Sequence, residues 1–174
     1  MSRNRGDPLT VDRGTEPIGS LTLRPGQPDD LPAIGRIERV SYHDSWSFDV
    51  LRKSLAAPAP SSLVALSADG AVVGYAFFGV GAGELDVHSL TVDPPWRRRG
   101  VATRLLERIE QDARAAGVSR LLLEVREGNE PALRLYRRHG FAVDTVRRRY
   151  YADGEDAVLM SRALAPEHEG AGGR

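Results

Sequence analysis

The sequence predicts an α/β sandwich, a mixed sheet covered by helices. Three observations carry this. Apolar and polar residues alternate over short runs, and the dipeptides Asp69-Gly70 and Asp153-Gly154 stand between such runs as hairpin signals. Two other segments, 101–116 and 129–140, repeat their apolar residues at helical spacing. Between them lies a short, nearly continuous apolar run, 121–125, of the kind found in a buried central strand.

The elements follow in order. Leu21 and Leu23 alternate with Thr22 and Arg24 in a first strand, so the ordered part starts at Ser20. Asp29 or Asp30 is placed to cap a helix running to about Tyr42, with Leu31, Ile34, Ile37 and Glu38 as its inner stripe. Ser47 caps a second short helix through Leu55, which Pro58 and Pro60 end. Strands at 62–68 and 71–80 flank Asp69-Gly70, and Gly79, Gly81 and Gly83 mark the next turn. The strand at 84–92 slips in phase: Leu85 and Val87 share one phase, Leu90 and Val92 the other. Either a bulge near His88 and Ser89 or burial on both faces accounts for that slip. Leu105, Ile109, Ala113 and Ala116 line the helix at 101–116, and Gly117 stops it. Asn129 caps the helix that ends at Gly140, with Pro131 in its first turn. Strands at 141–150 and 157–164 close the domain, which spans 20–164. Segments 1–19 and 165–174 are rich in Gly, Pro and charge and are expected to be disordered tails.

Composition narrows the function. The chain has 174 residues, with Lys plus Arg 24 against Asp plus Glu 24. This balance argues against a dedicated nucleic-acid binder. There is no cysteine, which excludes disulfides, thiolate metal sites and a Cys nucleophile and is compatible with the expected cytoplasmic location. No apolar run approaches the roughly 20 residues of a membrane helix, and the first residues lack the apolar core of a signal peptide. Neither membrane nor nucleic acid is therefore an expected partner. His43, His88, His139 and His168 show no metal-ligand spacing. Arg147, Arg148 and Arg149 would alternate faces in a strand, so they are not expected to form one basic patch.

The segment 92–102 carries the chemistry. Pro94 and Pro95 stop strand pairing, Gly100 and Ala102 let ligand atoms approach the backbone, and a helix begins just there. Free N–H groups at a helix start, with Arg97, Arg98 and Arg99 beside them, make an anion site suited to a diphosphate. An arginine-rich surface turn is the alternative. Neither a Walker loop nor a dinucleotide fingerprint is present.

Arg97-x-x-Gly100-x-Ala102, after a strand and opening a helix, resembles the acetyl-CoA signature of the GCN5-related N-acetyltransferase (GNAT) superfamily. The resemblance implies a mixed, mostly antiparallel sheet flanked by helices, with a bulged and splayed central strand. It implies that Leu90, Thr91 and Val92 meet the pantetheine arm of acetyl-CoA as co-substrate. Arg98, Arg99, Gly100, Val101, Ala102 and Thr103 would then hold the pyrophosphate.

Two residues suit acetyl transfer. Glu124 is the lone charge in Leu-Leu-Leu-Glu-Val, and desolvation there would raise its pKa toward that of a general base. A solvated strand-end Glu, or one paired with Arg126, is the alternative. Tyr136 shares a helical face with Leu133 and is either a core aromatic or a hydroxyl acid for a departing thiolate. Leu-Glu-Val-Arg at 123–126, Asn129, Ala132-Leu133-x-Leu135-Tyr136-x-x-x-Gly140-Phe141, Arg148-Arg149-Tyr150-Tyr151 and Glu155-Asp156-Ala157-x-x-Met160 resemble the RimI-type ribosomal-protein alanine N-acetyltransferases. The resemblance implies Glu124 as base, Tyr136 as acid, Asn129 at the cofactor, and Trp46, Tyr150 and Tyr151 at the acceptor. Ser45 departs from that branch, which has Pro before Trp. The implied acceptor is a protein or peptide N-terminus, a small-subunit ribosomal protein among them, and the enzyme would be a monomer or weak homodimer. Acetylation of a small amine or lysine, and a non-catalytic acyl-CoA sensor, are the competing readings.

Overall fold

The computed structural model describes residues 21–58 and 61–164. The expected tails and Pro60 lie outside the described residues. The chain runs β1 (Thr22–Pro25), α1 (Leu31–Ser41), α2 (Phe48–Leu55), β2 (Ser62–Leu66), β3 (Val72–Gly81), β4 (Glu84–Val92), α3 (Val101–Ala115), β5 (Arg120–Arg126), α4 (Glu130–Arg138), β6 (Ala142–Arg147) and β7 (Ala157–Ala163). The order is the predicted one. Short 3-10 turns at Pro28–Asp30 and Pro94–Trp96 precede α1 and α3.

Seven strands form one sheet in the order β1-β2-β3-β4-β5-β7-β6. All pairs are antiparallel except β4 with β5. Alternation along β3 shows the sandwich: Ala76 and Phe78 join one core, Tyr75 and Phe77 the other. The first core holds α3 through Leu105, Leu106 and Ile109, and α4 through Leu133 and Tyr136. The second holds α1 through Ile34 and Ile37, and α2 through Leu51. Leu105, Leu106, Ile109, Ile34 and Ile37 are each 0% exposed, so each contributes about 1.5–3 kcal/mol by burial.

The phase slip in β4 is a bulge. Phe77 pairs with Ser89 and the next residue, Phe78, with Val87, which leaves His88 as the inserted residue. Up to the bulge one face is buried, with Leu85 and Val87 inward and Asp86 and His88 exposed, whereas Thr91 and Val92 at the end of the strand are both buried. Beyond the bulge the sheet divides. β4 pairs with β5 only from Glu84 to Val87, opposite Arg120 to Leu123. After that β4 runs on to Val92 along β3, and β5 runs on to Arg126 along β7.

Three expectations are corrected. Asp30 does not cap α1, because its backbone is already helical; its carboxylate instead takes Arg24 and the N–H of Gln27, each at 2.7 Å. The strand expected to Tyr150 ends at Arg147, because Arg149 is left-handed (φ 51°) and its N–H bonds Asp156 at 2.8 Å. The three arginines of that run are therefore not an alternating strand: Arg147 pairs with Glu124, and Arg148 with Asp156. Finally, β5 is buried on one face only, with Leu121, Leu123 and Val125 inward. The outer strands are irregular or short. β1 has four residues and ends at Pro25; β6 loses register with β7 between Val143 and Thr145, setting Asp144 out of the ladder.

Candidate active site

The divergence of β4 from β5 exposes main-chain groups. The N–H of Asp93 bonds the carbonyl of Val73 at 2.9 Å, so the main chain of Asp93, and of Thr91 two residues before it, faces β3. By alternation, Leu90 and Val92 present theirs to the open side. The carbonyl of Val92 accepts the Nε–H of Arg97 there at 3.1 Å. Leu90 and Val92 thus carry main-chain groups that are not taken by the β3 ladder. Thr91 differs, with its main chain in the β3 ladder and its hydroxyl within 3.0 Å of the Tyr42 hydroxyl.

The loop after β4 is braced from both sides. Asp93 receives Arg36 of α1 at 2.7 Å, Trp96 is buried, and Arg99 lies over the Trp96 ring at 5.2 Å. Arg97 acts as a strut, since its Nη2 also donates to Ser41 at 3.0 Å. Arg98 (φ 61°) and Gly100 (φ 79°) are left-handed, a conformation that costs a non-glycine residue about 1–2 kcal/mol. No side chain caps α3 at Gly100, and the first helical bond runs from Arg104 to the Gly100 carbonyl at 3.0 Å. The N–H groups of Val101, Ala102 and Thr103 therefore have no helical acceptor, the geometry of an anion site.

Glu124 lies on β5 beyond the last β4 pair, opposite Leu159 of β7. Its side chain is 28% exposed and takes Arg147 at 3.1 Å, so the expected desolvation is not found, and its partner is Arg147 rather than Arg126. Tyr136 on α4 is buried with its ring 5.7 Å from Phe141. Burial pushes its hydroxyl pKa up, and Tyr42 adds to the shift; the hydroxyl is therefore protonated at neutral pH. Glu124 and Tyr136 make no hydrogen bond to each other. Asn129 caps α4 by accepting the N–H of Ala132 at 3.3 Å.

The side chains expected at the acceptor divide between two walls. Tyr150 and Tyr151 meet edge to face at 5.3 Å after β6. Arg147 lies 5.4 Å from the Tyr150 ring. Burial, then the charge of Glu124, pushes Tyr151 up to about 12. Trp46 follows α1 and is stacked on Phe77 at 6.1 Å. Arg126 joins the walls: it pairs with Glu155 at 2.7 Å, Asp153 at 2.8 Å and Asp44 at 3.4 Å, and its guanidinium lies 3.8 Å from the Tyr151 ring. The sequence set Glu38 on the inner stripe of α1, and the resemblance implied that the segment from Tyr42 to Ser47 lines the acceptor groove, but the partners of Tyr42, Asp44, Glu38 and Arg126 were not legible because they lie far off in sequence. A separate surface depression of about 470 Å3 is lined by Gly26, Leu55, Phe78, Arg108 and Asp112, among others. Its charges are the single i,i+4 pair Arg108–Asp112, which offers no comparable chemistry. Among the described residues there is no group of acidic and histidine side chains fit to hold a metal, and no helix is long and apolar enough to cross a membrane.

Comparison with known proteins bears on the family and the fold. The profile of the acetyltransferase (GNAT) family matches residues 31–141. The N-alpha-acetyltransferase RimI of Mycobacterium tuberculosis (strain H37Rv) is 38% identical over 161 residues, covering 88% of this chain and 96% of that protein. The ribosomal protein bS18-alanine N-acetyltransferase of Escherichia coli (strain K12) is 33% identical over 141 residues, covering 78% and 93%. The crystal structure of the ribosomal-protein-S18-alanine N-acetyltransferase from Escherichia coli superposes with a TM-score of 0.77 at 30% identity, covering 85% of this chain and 97% of that one.

Proposed function

Because the chain belongs to the acetyltransferase (GNAT) family, we propose that it moves an acetyl group from acetyl-CoA to the free α-amine of a protein N-terminus, of the ribosomal-protein alanine type. Its relatives make it an acetyltransferase of the RimI, N-alpha kind; the donor, the acceptor and the residue roles are the proposal. The observation that carries it is the split between β4 and β5, with open main-chain groups along one side and an uncapped, arginine-flanked helix start at its head.

In this reading the N–H groups of Val101, Ala102 and Thr103, with Arg98 and Arg99, hold the diphosphate. The main chain of Leu90 and Val92 pairs with the pantetheine amides, and Asn129 closes the far side. Bound acetyl-CoA supplies an activated acyl thioester. Glu124 takes a proton from the acceptor's ammonium, directly or through one water. The neutral amine then forms the C–N bond while an N–H near Leu90 polarises the carbonyl oxygen. The C–S bond breaks, the hydroxyl of Tyr136 protonates the thiolate, and the second proton of the acylated nitrogen passes through water to restore Tyr136, while Glu124 releases the first to solvent. Trp46, Tyr150 and Tyr151 shape the acceptor groove. Direct transfer suits a chain without cysteine.

The test is release of coenzyme A with peptides of different first residues. Free N-termini, alanine among them, should turn over and acetylated ones should not. Glu124→Gln and Tyr136→Phe should each lower kcat by about 10²–10⁴. Turnover with small amines or lysine side chains alone would sink the reading. Acetyl-CoA binding without turnover on any acceptor would favour a sensor.

A further inference from the structure

Buried carboxylates need partners. Asp30 and Asp93 each have an arginine. Glu38 does not: it is 3% exposed, and among the described residues no basic side chain pairs with it. Its two oxygens are used instead by neutral donors. Oε1 accepts the main-chain N–H of Trp46 at 2.9 Å, and Oε2 accepts the hydroxyl of Tyr75 on β3.

That placement links three parts of the site. Glu38 lies on the inner face of α1, and Trp46 is eight residues further on, past the loop that forms one acceptor wall. The Trp46 ring is pressed on Phe77. At the loop's start, Tyr42 donates to or accepts from Thr91 on β4, which in turn meets the hydroxyl of Ser89 at 3.2 Å. The loop is thus held at both ends, by Tyr42 against β4 and by the Trp46 N–H against Glu38. Leu90, whose main chain faces the split, sits between Ser89 and Thr91.

We infer that Glu38 is a positioning residue for the acceptor. It fixes the Tyr42–Ser47 loop at the separation from β4 that lets the incoming amine meet the thioester. The inference rests on the acetyl-transfer reading above. Glu38 touches neither reactant, and its work is to accept one loop N–H. A glutamine oxygen can do the same, while alanine cannot.

Acceptor KM, kcat, acetyl-CoA Kd and hydrogen exchange at the Trp46 amide decide the matter. Glu38→Ala should raise acceptor KM about tenfold or more, with kcat and acetyl-CoA Kd little changed, and should speed Trp46 exchange by a similar factor. Glu38→Gln should restore all four toward wild type. Wild-type KM and wild-type Trp46 exchange in Glu38→Ala would overturn the inference. So would a Glu38→Gln enzyme with kcat collapsed at unchanged KM, because that marks a proton acceptor. If Glu38→Ala does not fold, Glu38→Asp takes its place: the carboxylate withdraws by one methylene, and an unchanged KM overturns the inference. If wild type turns over no peptide, the acetyl-transfer reading fails on its own, and Trp46 exchange still decides whether Glu38 holds the loop.

Discussion

Asp30 keeps a charge at 6% exposure because Arg24 grips both of its oxygens. Burial pushes its pKa up, but the Arg24 hydrogen bonds and the N–H of Gln27 outweigh burial, and the result lies below the ordinary carboxylate value. The sign follows from linkage. A carboxylate depressed in the folded state contributes its stability above the unfolded pKa of about 3.9, and that contribution is lost as pH falls through the folded value. Asp30→Asn should therefore cost about 1–3 kcal/mol at neutral pH, and wild type and variant should converge below about pH 4. Urea unfolding across that range measures it; a gap that persists in acid would show that the charge is not the source. Arg98 illustrates the opposite kind of residue. It accepts a left-handed backbone (φ 61°) in the loop that leads into α3, a local strain that the surrounding braces must hold.

The bulge in β4 is the element on which the site depends. Deleting His88 would restore an unbroken ladder and shift Ser89 to Val92 by one position, turning the main chain of Leu90 and Val92 toward β3. Acetyl-CoA affinity should then fall at least about tenfold by titration calorimetry, a loss of about 1.4 kcal/mol. Undiminished binding would show that the bulge is not what presents those groups. This element was half legible in advance: the phases of Leu85 and Val87 against Leu90 and Val92 fitted an inserted residue, burial on both faces fitted them as well, and the pairing with β3 decides between them. Helices α3 and α4 were legible, and their stops at Gly117 and Gly140 are left-handed. The end of β6 was not legible, since Arg149 takes a positive φ that its residue type does not favour and that a bond to Asp156 imposes. The environment of Glu124 was hidden for a related reason. Its partner, Arg147, ends the next strand in the chain, β6, which lies two places away in the sheet beyond β7 and still reaches across to Glu124.

Over the whole molecule, the sheet is two half-sheets, β1 to β4 and β5 to β7, joined by the short parallel ladder from Glu84 to Val87. Arg126 is a tie at the open end, binding Asp44 of one half to Asp153 and Glu155 of the other. Partly exposed ion pairs add little stability, about 0–1 kcal/mol each, so the tie acts mainly on geometry. Arg126→Met should lower the melting temperature by only about 2–4 °C for each kcal/mol lost and should raise acceptor KM several-fold with acetyl-CoA affinity retained. An unchanged acceptor KM would remove Arg126 from the groove. The margins of the sheet have a consequence of a different kind. Pro25 at the end of β1 has no N–H to lend a neighbouring strand, and Asp144 interrupts β6 with a carboxylate held by Arg120 and Ser161. Both outer strands are therefore poor templates for fibril growth, and crowding should favour dispersed molecules over cross-β polymer.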